Sequence, residues 1–276
     1  MKRLGIIGAG LIGASLTKFW ARTSVSLTIV EKDAALHKDL EDIAPHAEVT
    51  DRFVEGLSEC ELIVVAVPLG ALQSVFTTLK PILNPGQLVI DVAGVKTNAE
   101  RIARESIGLD SFIGCHPMAG HAGGGLNASR ADLFLDARVA CCNPAKGNLK
   151  QQLLVSEFWE SQGAIPMWMS AQHHDTQVAW TSHLPYALSA LLMNHLEDIP
   201  NELIGPGFLR STRYADFSTD VMGEVISKNP AMVDSLKEFT RRLERFTQAL
   251  EGQQPEALES LERAHLLRQK LLKSES

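Results

Sequence analysis

Cysteine, basic charge and long apolar runs are all scarce in this chain. Its four cysteines, Cys60, Cys115, Cys141 and Cys142, include no CxxC pair. Adjacent Cys141 and Cys142 would point to opposite faces of a strand, so neither a disulfide framework nor a metal site is indicated. A reduced, cytoplasmic compartment fits such usage. The 26 Lys and Arg are outnumbered by 33 Asp and Glu, for a net charge of −7. That balance argues against nucleic acid or an anionic membrane as the main partner. No run is long and apolar enough to span a bilayer. What is present, 45% hydrophobic and 21% charged residues over 276 positions, suits a globular protein of one large or two smaller domains.

The opening "MKRLGIIGAGLIGASL" has the basic start, apolar stretch and small residues of a signal peptide. A strand, a glycine turn and a helix account for it better, because three ordered glycines are followed by a second strand at the right distance. Short apolar runs then alternate with helical patterns as far as residue 170. The expected strands are Arg3–Ile7, Leu27–Val30, Glu48–Thr50, Leu62–Val67, Leu88–Val92, Phe112–Cys115, Arg138–Cys142 and Ile165–Trp168. Several, such as "LIVVAV", are apolar throughout and read as strands covered on both faces. The expectation is an α/β, Rossmann-type domain over residues 1–170, with a parallel sheet and crossover helices.

From Ala171 strand-like runs stop, and an all-helical domain over residues 171–276 is expected, broken at "DIPNELIGPG", "KNP" and "EGQQPE". Leu236, Phe239, Leu243, Phe246 and Leu250 recur in alternating steps of three and four. Such a stripe faces a core or a dimer seam, with the core taken first.

The turn "GIIGAGLIGASL" carries Gly8, Gly10 and Gly13 in the order G-x-G-x-x-G, with Leu11 and Ile12 between the last two. Gly8 makes the tight turn, Gly10 lets a pyrophosphate approach the backbone, and Gly13 lets the helix pack on the sheet. The phosphates then meet free N–H groups at a helix N-terminus. Glu31, eighteen residues past Gly13, ends the second strand, where a carboxylate accepts ribose hydroxyls and repels the extra phosphate of NADP. NAD is therefore expected as cofactor, with NADP allowed because Lys32 follows. Val67 and Pro68 in "VAVPLGAL" supply a further loop at the cofactor edge.

Two later loops face the same edge, "DVAGVKT" and "GCHPMAGHAGG". Oxidation of an alcohol needs a base for the hydroxyl proton, and an imidazole titrating near ~6.5 suits that role. His116 ends a strand there, halted by Pro117 and followed by glycines that permit close approach.

These segments, with "HHDTQVAWTSHLPYALSALL" and "GPGFLRSTRYA", resemble the prephenate/arogenate dehydrogenase family over nearly the whole chain. The resemblance implies NAD-dependent oxidative decarboxylation of a cyclohexadienol in tyrosine biosynthesis. It places the catalytic histidine on His116 and the arginine for the substrate's carboxylate on Arg213, whose planar fork suits a carboxylate; Arg210 is the neighbouring alternative. It sets His174 and His183 at the border of the substrate pocket, and it implies a homodimer through the helical domain. His174 or Asp175 would cap or orient the first helix there, and Pro185 would kink it. No metal is needed, because the dienone formed by oxidation is itself the electron sink for loss of carbon dioxide. No fused mutase or regulatory domain is expected, so tyrosine inhibition would act at the active site.

Gly94 departs from the family pattern, where a serine is frequent. A water or another side chain must then substitute: either His121, in the loop "GHAGGG", fills the gap, or the chain prefers a variant substrate. The glycine-rich loop holds no carboxylate before Asp132, which leans toward prephenate rather than the ammonium of arogenate. The alternatives are arogenate or dual-specificity turnover, a dehydrogenase or imine reductase of another small acid, and a dinucleotide sensor without chemistry.

Overall fold

The computed structural model describes residues 1–53, 55–120, 124–142, 148–197 and 202–274. The chain forms two compact units, Met1–Pro230 and Ala231–Ser276.

In the first unit, β1 (Arg3–Ile7), α1 (Leu11–Trp20), β2 (Ser26–Val30), α2 (His37–Ile43) and β3 (Glu48–Thr50) are followed by α3 (Glu55–Ser58), β4 (Leu62–Val65), α4 (Leu72–Leu79) and β5 (Leu88–Asp91). Next come α5 (Lys96–Ser106), β6 (Phe112–Pro117), β7 (Arg138–Cys142), α6 (Leu149–Glu160) and β8 (Ile165–Met169). The helical segments α7 (Ala171–Val178), α8 (Leu184–Asn194), α9 (Pro206–Ser211) and α10 (Thr219–Lys228) complete it. The expected strands all form, with small shifts at their ends.

Together they make one eight-stranded sheet in the order β3-β2-β1-β4-β5-β6-β7-β8. Apolar runs become strands here because both faces are covered. Leu4 and Ile6 pack on one side with Val64, Leu88 and Ile90, while Ile7 packs on the other with Ile63, Val65 and Val89. Each such side chain, fully buried, contributes roughly 1.5–3 kcal/mol. The chain order reverses direction between β1 and β4, which opens a crevice at the carboxyl ends of the strands.

Two expectations about β6 and β7 need correction. The sheet is not parallel throughout: β7 runs antiparallel to β6, and β8 is parallel to β7. A parallel return needs a crossover helix, and the described residues between Pro117 and Arg138 hold only the short 3₁₀ turn Leu126–Ala128. Nor does Pro117 halt β6, for it pairs with Val139. The pairing of β5 with β6 has already ended at Asp91 and Gly114, so the N–H that proline lacks has no β5 partner to lose.

Between α7 and α8 the helix widens into a π turn, Ala179–His183. Pro185 at the start of α8 offers no N–H to the Thr181 carbonyl, and the wide turn relieves the clash of its ring. The kink expected at Pro185 thus takes this form.

The second unit holds two 20-residue helices, α11 (Met232–Glu251) and α12 (Pro255–Ser274). The stripe on α11 is not a buried core face: Leu243 and Leu250 are 54% and 53% exposed. A single helical pair has no second layer to close over every apolar row. No described helix is long and apolar enough to cross a membrane.

Gly13 fixes how α1 leaves β1. A Cβ there would lie 1.8 Å from the Gly8 carbonyl oxygen, a backbone atom that cannot step aside. Gly13→Ala is expected to cost about 3 kcal/mol or more, read as a lower urea midpoint with an unchanged slope.

Candidate active site

The carboxyl edge of the sheet gathers the expected residues. The turn after β1 places Gly8 at φ +93° and makes Gly10 the N-cap of α1. Leu11 and Ile12 open that helix, half-buried against the core. Glu31 follows β2 and is tied to the turn: one carboxylate oxygen accepts from the Ala9 N–H at 2.6 Å and the other from the Asp33 N–H at 2.9 Å. Lys32 is exposed. Val67 and Pro68 follow β4 on the same edge.

β5 ends in a buried acid. Asp91 accepts from the Ala93 N–H at 3.0 Å and the Cys115 N–H at 3.3 Å, and it pairs with Lys96. The Lys96 ammonium lies 2.5 Å from Asp91 and 2.5 Å from the Cys115 carbonyl, and both side chains of the pair are fully buried. Burial pushes the Asp91 carboxyl up, and the charge of Lys96 with its hydrogen bond pulls it back. Removing one member of such a pair leaves an uncompensated charge, at a cost of about 3–5 kcal/mol. The pair pins the β5–α5 loop to β6, directly before His116.

His116 is half-buried at the end of β6. Its Nδ1 lies 2.9 Å from Nε2 of His174, and the two rings meet edge to face. The other nitrogen of His174, Nδ1, lies 2.7 Å from the Asp175 carboxylate. His174 or Asp175 was expected to cap or orient the start of their helix; the cap is Ser170, accepting from the His173 N–H at 3.1 Å. Asp175 points the other way and caps α5. Its carboxylate accepts from the N–H groups of Lys96 at 2.8 Å and Thr97 at 2.9 Å, and from the Thr97 hydroxyl. These are the first two N–H groups of α5, which no residue within that helix could satisfy. Asn229 completes the layer by donating to the Asp175 carbonyl at 2.9 Å and to Nδ1 of His183 at 2.9 Å.

The electrostatics keep His116 and His183 neutral. Burial, then electrostatic repulsion from His174, Lys96 and His183, hold His116 well below the usual imidazole range. Burial likewise pushes His183 down to about 4, against a pull upward from Asp175. Burial works to raise Asp175 too, but the hydrogen bonds from His174, Thr97 and Lys96 outweigh it and leave its carboxyl below the ordinary value.

Among the expected site residues, His116, His174 and His183 therefore converge. Gly94 lies beneath them: a Cβ there would stand 3.8 Å from Cε1 of His116 and 3.1 Å from the Val225 side chain. Arg213 has its contacts with Tyr214 instead of with these three rings. It is exposed, with its guanidinium 4.9 Å above the Tyr214 ring and 3.2 Å from that hydroxyl. His121 lies outside the described residues. Sequence reasoning missed Lys96, Asp91, Thr97 and Asn229. An acid and a lysine five residues apart after an apolar strand, in "DVAGVKT", was the available signal for the first two. Nothing in the local pattern marked Asn229.

A doubly wound sheet with a glycine turn at its switch point and helices appended defines a dinucleotide-dependent dehydrogenase. Residues 15–166 match the family model described as prephenate dehydrogenase, nucleotide-binding domain, and residues 170–263 match prephenate dehydrogenase, dimerization domain. The chain belongs to the prephenate dehydrogenase family, NAD-linked oxidoreductases of tyrosine biosynthesis. It is 26% identical to the cyclohexadienyl dehydrogenase of Zymomonas mobilis, across 91% of this chain and 89% of that protein. It is also 26% identical to the prephenate dehydrogenase of Lactococcus lactis, across 94% of this chain and 74% of that one. Among solved structures, Synechocystis arogenate dehydrogenase aligns with a TM-score of 0.85 at 25% identity, covering 98% of this chain and 99% of that chain. The prephenate dehydrogenase of A. aeolicus, in complex with hydroxyphenyl propionate and NAD+, shares the fold with a TM-score of 0.87 at 23% identity, covering 98% of each chain.

The neutral His183 sets an acid limit. An unfolded imidazole takes a proton near ~6.5, whereas the folded one does so only at about 4. Between those values the unfolded chain binds more protons, so stability is complete above that window and is lost as pH falls through it. His116, shifted in the same direction, adds to the loss. Urea midpoints should fall between pH 7 and pH 4.5, and the fall should be shallower in His183→Gln.

Proposed function

We propose that this chain oxidises and decarboxylates prephenate to 4-hydroxyphenylpyruvate, with NAD as hydride acceptor. The observation that carries the reading is a neutral imidazole, His116, at the same sheet edge as the glycine turn. The turn fits a dinucleotide. Nothing lies within 4 Å of the position a Cβ of Gly10 would take, and the free N–H groups of α1 open onto that space. Gly8, Gly10, Leu11, Ile12 and Gly13 would hold the pyrophosphate, Glu31 the adenosine ribose, and Val67 with Pro68 the adjoining wall. The anchored Glu31 favours NAD over NADP by repulsion of a ribose phosphate.

When bound, NAD supplies the acceptor for the hydride that leaves the ring carbon. His116 takes the hydroxyl proton as that C–H bond breaks. The resulting ketone is conjugated to the carbon bearing the carboxylate, so loss of carbon dioxide yields the aromatic ring. Arg213 is assigned the substrate's carboxylate, and Gly94, His174 and His183 border the substrate, with His121 in the adjoining loop. Residues 1–170 carry the dinucleotide and residues 171–276 carry substrate and dimer contacts. The exposed rows of α11 and α12, including Leu243, Leu258, Leu261 and Leu267, would be covered by a second copy. Four unpaired, buried cysteines support a cytoplasmic location.

Arogenate is the second reading, because the relatives include a cyclohexadienyl and an arogenate dehydrogenase. The purified chain should be assayed with prephenate and arogenate against NAD and NADP, following carbon dioxide release and absorbance together. Prephenate with NAD is expected to turn over fastest. Faster turnover of arogenate would move the substrate assignment, and no turnover of either would overturn the reading. His116→Asn should lower kcat by about 10²–10⁴-fold with little change in KM.

Gly10→Ala separates binding from folding. With open space around the new methyl group, its melting temperature should stay within about 3 °C of the parent, while Kd for NAD rises at least tenfold by calorimetry.

A further inference from the structure

The bond sequence from Asp175 through His174 to His116 has a direction, and the direction decides where the base lone pair points. All four partners of the Asp175 carboxylate are donors: two backbone N–H groups, the Thr97 hydroxyl and Nδ1 of His174. A carboxylate can only accept from them, so His174 carries a proton on Nδ1. With one proton on the ring, its Nε2 carries a lone pair. That nitrogen lies 2.9 Å from Nδ1 of His116, which must therefore be the donor. The remaining nitrogen of His116, Nε2, is left without a proton.

We propose that His174 and Asp175 are positioning residues that lock His116 as the Nδ1–H tautomer and so present its Nε2 lone pair to the substrate hydroxyl. The part concerning the hydroxyl rests on the function proposed above; the tautomer itself does not. In the step, the substrate O–H bond breaks and an Nε2–H bond forms on His116, while the electron pair of the C–H bond leaves as hydride to NAD. The imidazolium so formed still donates from Nδ1 to His174, whose own Nδ1–H faces the Asp175 anion. The new positive charge is thus met by a buried negative one through a single intervening ring.

The surrounding groups are arranged not to compete. The Lys96 ammonium is engaged by Asp91 and the Cys115 carbonyl. His183 accepts from Asn229 through Nδ1, which places its proton on Nε2. His174 and Asp175 are each 1% exposed, so water does not scramble the sequence of donors. A packing role for His174 would need only its volume, and the two opposed roles of its nitrogens would be incidental.

The experiment is ¹⁵N–¹H correlation of the histidine rings in the full-length chain, labelled on histidine, at pH 7.5. The expected result is a proton on Nδ1 of His116 and on Nδ1 of His174. A proton on Nε2 of His116, or on both nitrogens of His174, overturns the proposal. This readout stands even where no cyclohexadienol is turned over, so failure of the functional reading remains separate. In His174→Gln the amide oxygen sits where Nε2 was and can still accept from His116, whereas His174→Phe keeps volume alone. The glutamine variant should retain the Nδ1–H tautomer and lose less than about tenfold in kcat, while phenylalanine should flip His116 to Nε2–H. That flip should lower kcat by about 10²–10⁴-fold, with KM for prephenate changed less than threefold. Equal kcat in the phenylalanine variant and the parent would overturn it.

Discussion

A single buried carboxylate, that of Asp175, holds the active edge together. It satisfies the first two N–H groups of α5, binds the Thr97 hydroxyl and orients the His174 ring. The start of a helix carries unpaired donors and a partial positive charge, so an anion there gains stability that a neutral residue would not. Because Asp175 sits on α7 while α5 crosses over from β5, the same bonds fasten the first appended helix to the sheet. Position and chemistry are thereby linked.

The second constraint is charge balance in a dry place. Lys96 and Asp91 cancel one another beneath the end of β6, and their backbone partners, Ala93 and Cys115, tie the β5–α5 loop to the strand that carries His116. A lone buried cation would be costly; a compensated one still lowers the affinity of the nearby imidazole for a proton. The result is an imidazole held unprotonated at neutral pH. Gly94 contributes by absence, since the backbone passes below the ring with Val225 filling the adjoining volume. The imidazole is met by His174 at Nδ1.

Much of this was legible locally. The strand positions followed from apolar runs, the turn from ordered glycines, and His116 from its place at the end of a run before a glycine-rich segment. The direction of β7 was not legible, because the residues between β6 and β7 did not show in sequence whether they would form the crossover helix that a parallel return needs. The stripe on α11 shows a related ambiguity. Apolar period announces that a face will be covered, but a core and a partner surface share the same spacing. Arg213 was placed by resemblance alone, and in this structure its guanidinium lies over the Tyr214 ring.

The sequence by itself determined the order of strands and helices, the dinucleotide turn and the place of His116 at a strand end, since these depend on neighbours a few residues apart. Only the tertiary structure decided what stands behind that ring. His116 meets a ring 58 positions later in the chain, and Asp175 meets the start of α5 from 79 positions away. Contacts at such separation arise from how layers pack, and a hydrogen bond shows no periodicity along the chain that would announce it.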